Sequence, residues 1–200
     1  MRGRLLTILL LLATAFTHAP AAAAVDRWDI VPGDGTQVTF TSKAPLETFT
    51  GRTDKVSGWC GFDPDQLAGT VTMEVAVEMA SFDTGLGKRN QHMRENHLET
   101  DRFPRSWMRG GVVDSASASS LPVGGTVSFG FVGELELHGV RRPVNCTITL
   151  SRPTADTLTA TAEFPVKLSA HDIERPRMLV MKLADEQLVR VALHLERKRP

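Results

Sequence analysis

The histidines are the residues of this chain whose type and spacing come nearest to a metal or acid–base site. His92 and His97 lie five positions apart, with Glu95 between them. Two metal ligands on one helical face need a spacing of three or four, so this spacing predicts two separate, solvated helix residues. His171 and Asp172 are adjacent, and sequence neighbours do not form an acid–base dyad by themselves. The histidines therefore predict neither a metal site nor a catalytic centre.

The two cysteines allow either a disulfide or two buried thiols. Cys60 and Cys146 both fall on the apolar phase of predicted strands. An oxidising compartment would permit a bond between them, and the alternative is two free thiols that pack as small hydrophobic side chains. No cation adjoins Cys60 in sequence to make it a nucleophile. Because the common catalytic and phosphate-binding motifs are also absent from the sequence, we expect no enzyme and no cofactor.

The first 24 residues have the layout of a secretory signal peptide. Arg2 and Arg4 precede an apolar run over residues 5–16, and residues 22–24 are alanines suited to cleavage. The run is about a dozen residues long, whereas a membrane-spanning helix needs roughly 20. We therefore expect residues 1–24 to be removed. Residues 25–200 would then form one exported domain, periplasmic or secreted, without an integral membrane anchor.

The expected exported domain is close to neutral. Residues 25–200 carry 21 basic and 23 acidic residues, a net charge of −2, because the first 24 residues contain two arginines and no acid. A chain of this charge has no large basic field to attract nucleic acid or an anionic membrane. We expect no nucleic-acid partner, and the oligomeric state, a homodimer included, stays open.

From Thr36 onward, apolar and polar residues alternate with a period of two. Alternation of this kind predicts strands with one buried face. The clearest runs are at residues 71–79, 127–137, 144–150, 158–168 and 189–195. Turns rich in glycine and proline separate the runs. Many short strands of this type predict a mainly β domain, either a sandwich or a barrel.

One segment breaks this pattern. Residues 85–100 are polar and rich in helix formers, and their only apolar side chains are Leu86, Met93 and Leu98. They predict about three turns of helix across the outside or over one end of the barrel. Pro104 then returns the chain to an extended conformation.

The apolar phase favours a barrel with an open interior. Gly133, Ala160 and Ala162 stand where a filled core would have Leu or Ile, and methionines supply adaptable walls. An eight-stranded barrel is about the size that holds one small ligand. A packed sandwich core explains the same alternation, so both stay open. The residues expected to line a cavity are Val38, Phe40, Val71, Met73, Val75, Val77, Met79, Met108, Phe129, Phe131, Leu135, Ile148, Ala160, Ala162 and Phe164.

Several stretches resemble the YceI-like, polyisoprenoid-binding family. The first is Phe-Asp-Thr-Gly at residues 82–85, followed by residues 88–94 and Phe103-Pro104, and the second is residues 133–144. Shorter stretches that are similar to the family's opening hairpin lie at residues 49–51, 56–58 and 62–64. The resemblance implies an extended, eight-stranded antiparallel lipocalin-like barrel with one short helix inserted after the Asp-Thr-Gly turn. It also implies an exported protein that encloses a polyisoprenoid, with isoprenoid quinones among the candidates.

Two loops depart from the family pattern. Residues 31–35 read Val-Pro-Gly-Asp-Gly where the family usually has Asp-Pro-x-His-Ser, and residues 171–176 replace a late Asp-Phe-Gly turn. Because both are loops, we expect them to border the cavity entrance. There His171, Asp172 and Arg175 would meet the head group of the ligand, while the apolar wall residues hold its tail.

The free energy of burial favours a long ligand. One isoprene unit contributes roughly 3–4 kcal/mol at about 0.8 kcal/mol per CH₂. Association costs about 4–15 kcal/mol, and a micromolar complex needs about 8 kcal/mol net. About five units therefore suffice, although an acyl chain would serve equally well. The alternatives are an envelope structural or interaction protein with a filled core, and an isoprenoid-modifying enzyme. Transport, storage and sensing are not distinguished.

Overall fold

The computed structural model describes residues 25–43, 47–178 and 181–198, so the predicted signal peptide at residues 1–24 lies outside the described residues. One α-helix, α1 (Gly87–Asn96), and two short 3-10 turns (Met79–Ser81 and Leu168–His171) accompany the strands. The strands are β1 (Asp26–Ile30), β2 (Gln37–Lys43), β3 (Thr48–Thr53), β4 (Val56–Phe62), β5 (Gly69–Glu78), β6 (Arg105–Ala116), β7 (Thr126–Leu137), β8 (Val140–Thr154), β9 (Thr157–Lys167), β10 (Arg177–Met178), β11 (Met181–Lys182) and β12 (Glu186–Arg197).

The strands close into an eight-stranded antiparallel barrel because β12 pairs along its length with two strands in turn. Its first half pairs with β2 and its last residues pair with β1. The strands β1 and β2 thus act as one interrupted strand, and β4 and β3, which pair with them, act as a second. With β5 to β9 and β12 this makes eight, as the sequence predicted. The strand β1 was missed, because only Trp28 and Ile30 mark its apolar phase.

The predicted period of two sets the two faces of the wall. Along β7 the apolar residues Val127, Phe129 and Phe131 are buried, while the residues between them are more exposed. In the register with β8, Phe129 pairs with Ile148 and Phe131 with Cys146, so the inward side chains of neighbouring strands form rows. The polar phase of each strand then faces solvent.

The helix α1 joins β5 to β6 at one end of the barrel, and it is shorter than the predicted segment of residues 85–100. Side-chain hydrogen bonds fix its start. Asn90 accepts from both the backbone N–H and the hydroxyl of Thr84, at 2.9 and 2.6 Å, and donates to the Asp83 carboxylate at 2.7 Å. These contacts therefore tie the first turn of α1, through Asn90, to the turn that precedes it.

The opposite end of the barrel is closed by packed loops. Leu121, which is fully buried, donates its backbone N–H to Pro64 at 2.7 Å, and Leu67 donates to Ser119 at 3.0 Å. Trp28 is also fully buried and stacks on Phe62 with their ring centroids 6.1 Å apart. The barrel thus has a sealed end and an end that carries α1.

We predict that Gly58→Ala destabilises the barrel wall. Gly58 lies in β4 with φ 129°, and an added Cβ would collide with the backbone carbonyl of Glu74 in β5. The strained φ and the displaced strand should lower the free energy of unfolding by at least about 2 kcal/mol, measured by urea denaturation. Gly87→Ala is the control, because its Cβ would meet nothing within 4 Å. Equal stability of the two variants would contradict the prediction.

Candidate functional site

The barrel encloses a cavity of about 1280 Å³ that is lined almost wholly by apolar side chains. This exceeds the range of about 300–1,000 Å³ that is usual for small-molecule sites. All fifteen residues predicted for the wall, from Val38 on β2 to Phe164 on β9, lie on its lining. A packed sandwich core is therefore not what this chain forms, while the binding of a ligand by these residues stays a prediction.

The cavity opens beside α1. Leu86 is 55% exposed to solvent and yet contacts the cavity, and Lys88 and His92 do the same from the helix. The inward-facing polar side chains are also found at this end, whereas Phe62, Leu67 and their neighbours line the sealed end. The site therefore has an apolar length and one polar mouth.

The small inward residues have different roles. Ala160 and Ala162 line the cavity, as predicted. Gly133 does not, because the space above it is filled: an added Cβ would lie 2.5 Å from the Phe131 ring and 3.1 Å from the sulfur of Met108. The interpretation of Gly133 as a residue that leaves cavity space was therefore wrong. Its missing side chain allows Phe131 to lie against the wall.

Arg89 fastens the helix to the rim of the mouth. Its guanidinium donates to the side-chain and backbone oxygens of Thr84, both at 2.9 Å, and to the Glu47 carboxylate at 2.8 Å. It also lies 4.0 Å from the centre of the Phe49 ring, a cation–π contact. Because these contacts use three of its five N–H groups and pair its charge with Glu47, Arg89 is a structural element of the rim.

His92 and His97 are brought together, contrary to the spacing argument. Their ring centroids lie 4.8 Å apart in an edge-to-face arrangement, and both rings line the cavity. The argument assumed one continuous helix, but α1 ends at Asn96 and His97 has non-helical backbone angles. The prediction that the two histidines lie apart was therefore wrong, whereas His92 is solvent-exposed as predicted and His97 is partly buried. A helical spacing rule does not contain the position at which the helix ends.

His97 is held as a neutral, partly buried side chain. Its Nδ1 lies 2.9 Å from the backbone carbonyl oxygen of Glu174, and its Nε2 is buried with no partner among the described residues. Burial lowers the pKa of His97; the hydrogen bond to the Glu174 carbonyl opposes this shift, and the nearby His92 contributes a smaller lowering. The ring is therefore uncharged at neutral pH and can exchange hydrogen bonds with a ligand.

His171, Asp172 and Arg175, which were expected to meet the head group, do not line the cavity in this structure. The His171 ring is buried with its Nδ1 3.1 Å from the Val140 carbonyl, and burial lowers its pKa. Asp172 is exposed with φ 55°. Arg175 donates twice to the carbonyl of Leu183, at 2.9 and 2.6 Å. The strand alternation that predicted the wall has no counterpart in a loop, so side-chain direction there was not predictable.

The cysteines are both free, so of the two alternatives the structure has unpaired thiols. Cys60 lies on β4 and Cys146 on β8, four strand-to-strand steps apart around the barrel, with the cavity between them. Each step is about 4.8 Å, whereas a disulfide requires Cα atoms within about 7 Å. Burial, with a smaller contribution from the negative charge of Asp29, raises the pKa of Cys60 to about 12. Burial also raises the pKa of Cys146.

Metal-binding groups and membrane-spanning helices were sought in the part of the chain that the structure describes. Within residues 25–43, 47–178 and 181–198, no group of three or more His, Cys, Asp or Glu side chains is placed to hold a metal ion. No helix in these ranges is long and apolar enough to cross a membrane.

A closed eight-stranded antiparallel barrel with an apolar cavity open at one end defines a lipocalin-like binding barrel. The family model for the YceI-like domain matches residues 28–196, and the chain belongs to this family.

Three solved structures share the fold. A polyisoprenoid binding domain from Saccharophagus degradans, implicated in plant cell wall breakdown, is 19% identical, with a TM-score of 0.67 over 86% of this chain and 98% of that one. BcnA from Burkholderia cenocepacia is 22% identical, with a TM-score of 0.64 over 80% and 95%. The YceI protein of Campylobacter jejuni is 12% identical, with a TM-score of 0.57 over 74% and 85%. No curated protein matches the chain significantly.

We predict that the two thiols differ in reactivity. With a pKa of about 12, Cys60 is about one part in ten thousand thiolate at pH 8. Cys146 is only half-buried, so in delipidated protein a thiol reagent should modify Cys146 first. Cys146→Ser should remove the fast reaction and Cys60→Ser should retain it.

The unpaired state of the cysteines is tested separately. Titration of the unfolded protein in urea, without reductant, should find two free thiols per chain, and a count of none would contradict the unpaired state.

Proposed function

We propose that the protein is an exported, non-catalytic binding protein that encloses a long isoprenoid or isoprenoid-quinone lipid for carriage or storage. One observation carries this proposal: the cavity of about 1280 Å³ is apolar along the barrel and meets polar side chains at its mouth. This arrangement suits a molecule with a long hydrocarbon tail and one small polar end. A filled-core structural protein is the poorer alternative, since the interior is hollow.

The energetics of such a cavity favour chain length over specific contacts. Each buried CH₂ contributes about 0.8 kcal/mol, so a tail of about five isoprene units offsets the cost of association. Methionines such as Met73 and Met108 line the wall beside rigid aromatic rings such as Phe131. Their flexible thioethers adapt to the methyl branches of an isoprenoid at little cost. The wall therefore selects for length and flexibility.

Two further observations support the choice of ligand and compartment. The similar domain from Saccharophagus degradans is described as polyisoprenoid binding. Residues 1–24 have the pattern of a secretory signal peptide, which would bring the protein to the periplasm or the exterior. Isoprenoid lipids reside in membranes, so a carrier that shields their tails from water would work in that compartment.

Native mass spectrometry of the protein, purified without detergent from an envelope fraction, tests the proposal. We expect one prenyl lipid per chain, identified after organic extraction, because an apolar cavity of this size is costly to leave empty. An empty protein that also ignores added polyprenols and isoprenoid quinones would overturn the proposal. A bound acyl lipid in place of a prenyl lipid would correct the ligand class.

We predict that Ala162→Trp abolishes lipid binding and leaves the barrel folded. Ala162 is an inward residue of β9 that lines the cavity, so an indole there occupies the space of the tail. Thr159→Trp is the matched control, because Thr159 faces outward on the same strand. Circular dichroism should show the same fold for both. If folded Ala162→Trp retained lipid with unchanged affinity, the tail would not occupy this part of the cavity.

A further inference from the structure

Among the described residues, two buried polar side chains, Ser106 and Gln187, and the partly buried His97 line the helix end of the otherwise apolar cavity. All three lie against a backbone carbonyl. The His97 Nδ1 is 2.9 Å from the oxygen of Glu174, the Ser106 hydroxyl donates to Glu136 at 2.8 Å, and the Gln187 amide nitrogen donates to Ala184 at 2.8 Å. Because a carbonyl oxygen can only accept, each side chain gives a donor to the main chain.

The contact of His97 with a carbonyl fixes which ring nitrogen carries the hydrogen. A neutral imidazole has one N–H and one lone pair. With Nδ1 facing the Glu174 oxygen, the hydrogen is on Nδ1 and the lone pair is on Nε2. That Nε2 is buried and has no partner among the described residues. His97 therefore holds an unsatisfied acceptor at the mouth, in a position shielded from water.

Gln187 leaves an acceptor in the same way. The residue is only 5% exposed, and its contact with the Ala184 oxygen identifies the nitrogen end of the amide. None of the described residues donates a hydrogen bond to its Oε1. The second hydrogen of the amide nitrogen is likewise without a partner among these residues. Ser106, 8% exposed, likewise keeps lone pairs on its oxygen after donating its hydrogen. Acceptors thus outnumber donors at the buried part of the mouth.

The loops at the mouth connect His97 and Gln187 through a series of hydrogen bonds to neighbouring loop residues. Glu174, which His97 contacts, precedes Arg175, and Arg175 donates to the carbonyl of Leu183. The next residue, Ala184, accepts from Gln187. Both side chains therefore belong to the same rim of the cavity, and Ser106 lines it from β6.

The positively charged side chains at the mouth do not change this excess of acceptors over donors. Arg89 is occupied by Thr84 and Glu47. Lys88 is exposed at the rim, where solvent screens its charge. A phosphate or a quinone carbonyl, which can only accept, would meet too few buried donors. An acceptor head group would also leave His97 Nε2 unsatisfied, which is costly in a water-poor site.

We propose that the helix end of the cavity selects lipids whose head group donates a hydrogen bond, which is the chemistry of a hydroxyl. The inference rests on the proposed lipid-binding function and narrows its ligand class. Two sources of such a hydroxyl fit the cavity: a polyprenol and the reduced, hydroquinone form of an isoprenoid quinone. In both, the hydroxyl hydrogen goes to His97 Nε2 or Gln187 Oε1 while the prenyl tail follows the wall.

Matched lipids that differ only in the donor test the proposal. The delipidated protein is titrated with solanesol and with its methyl ether, and separately with ubiquinol and ubiquinone, by tryptophan fluorescence at pH 7. We expect each hydroxyl form to bind at least about fivefold more tightly than its partner, the effect of one net hydrogen bond. A preference in only one pair would identify that source. Equal affinities in both pairs would overturn the proposal.

Variants connect the preference to these residues. Gln187→Leu and His97→Leu should reduce the ratio of alcohol to ether affinity towards one while the ether still binds, because the ether has no hydroxyl hydrogen to give to the lost acceptor. Gln91→Leu is the matched control, since Gln91 is exposed on α1 and outside the cavity lining. A variant that merely disturbed folding would weaken both lipids and leave the ratio unchanged. If both variants kept the full preference, the assignment to His97 and Gln187 would fail.

The same titrations separate this inference from the proposed function. If neither solanesol nor its ether binds, and neither quinone form does, the lipid-binding function itself is wrong. If the lipids bind but the two members of each pair have equal affinities, the barrel binds prenyl lipids and only the hydroxyl selectivity is wrong.

Discussion

The structure depends on the double pairing of β12, which closes the sheet on itself. Residues 188–192 pair with β2 and residues 195–197 with β1, so the first strand needs an interruption between the two. The turn at residues 31–36 supplies it, with Thr36 donating to the Val31 carbonyl at 2.6 Å. Closure gives each long strand a partner on both sides, so that among the described strands of this sheet only the short β3 keeps a free edge. The backbone ladder then holds the wall, and the interior need not be filled to keep the barrel together.

Because the barrel is hollow, its two ends are held together in different ways. At the sealed end, Trp28, Phe62 and Leu121 pack into a conventional core and supply the burial that stabilises the domain. At the helix end, α1 buries no residue and is held by polar contacts of Asn90 and Arg89. A tail that enters beside α1 therefore proceeds towards apolar surface and stops at the packed end. The packing of the sealed end thus also sets the direction in which a tail would enter the proposed site.

Most of the wall was predictable because successive side chains of a strand point to opposite faces, so that sequence position determines which residues point inward. Alternation alone gave the fifteen wall residues, and each of them lies on the cavity. The wrong predictions concern residues whose position is not decided by this alternation alone. Gly133 follows the alternation, but the ring of Phe131 occupies its space. His92 and His97 are in contact because α1 ends at Asn96, whereas the spacing argument assumed a helix that continues through His97. His171 lies in a turn, where a hydrogen bond to a strand carbonyl sets the ring.

The wall cannot by itself decide which lipid is bound. An apolar surface distinguishes ligands that differ by one methylene only weakly, whereas a site built to form a hydrogen bond strongly rejects an analogue that lacks the matching group. Discrimination must therefore come from the few polar side chains at the mouth. Their partners are main-chain carbonyls, which fix their orientation before any ligand arrives. In the proposed complex, a short polar rim of preorganised acceptors would add head-group recognition to a barrel whose length recognises only a tail.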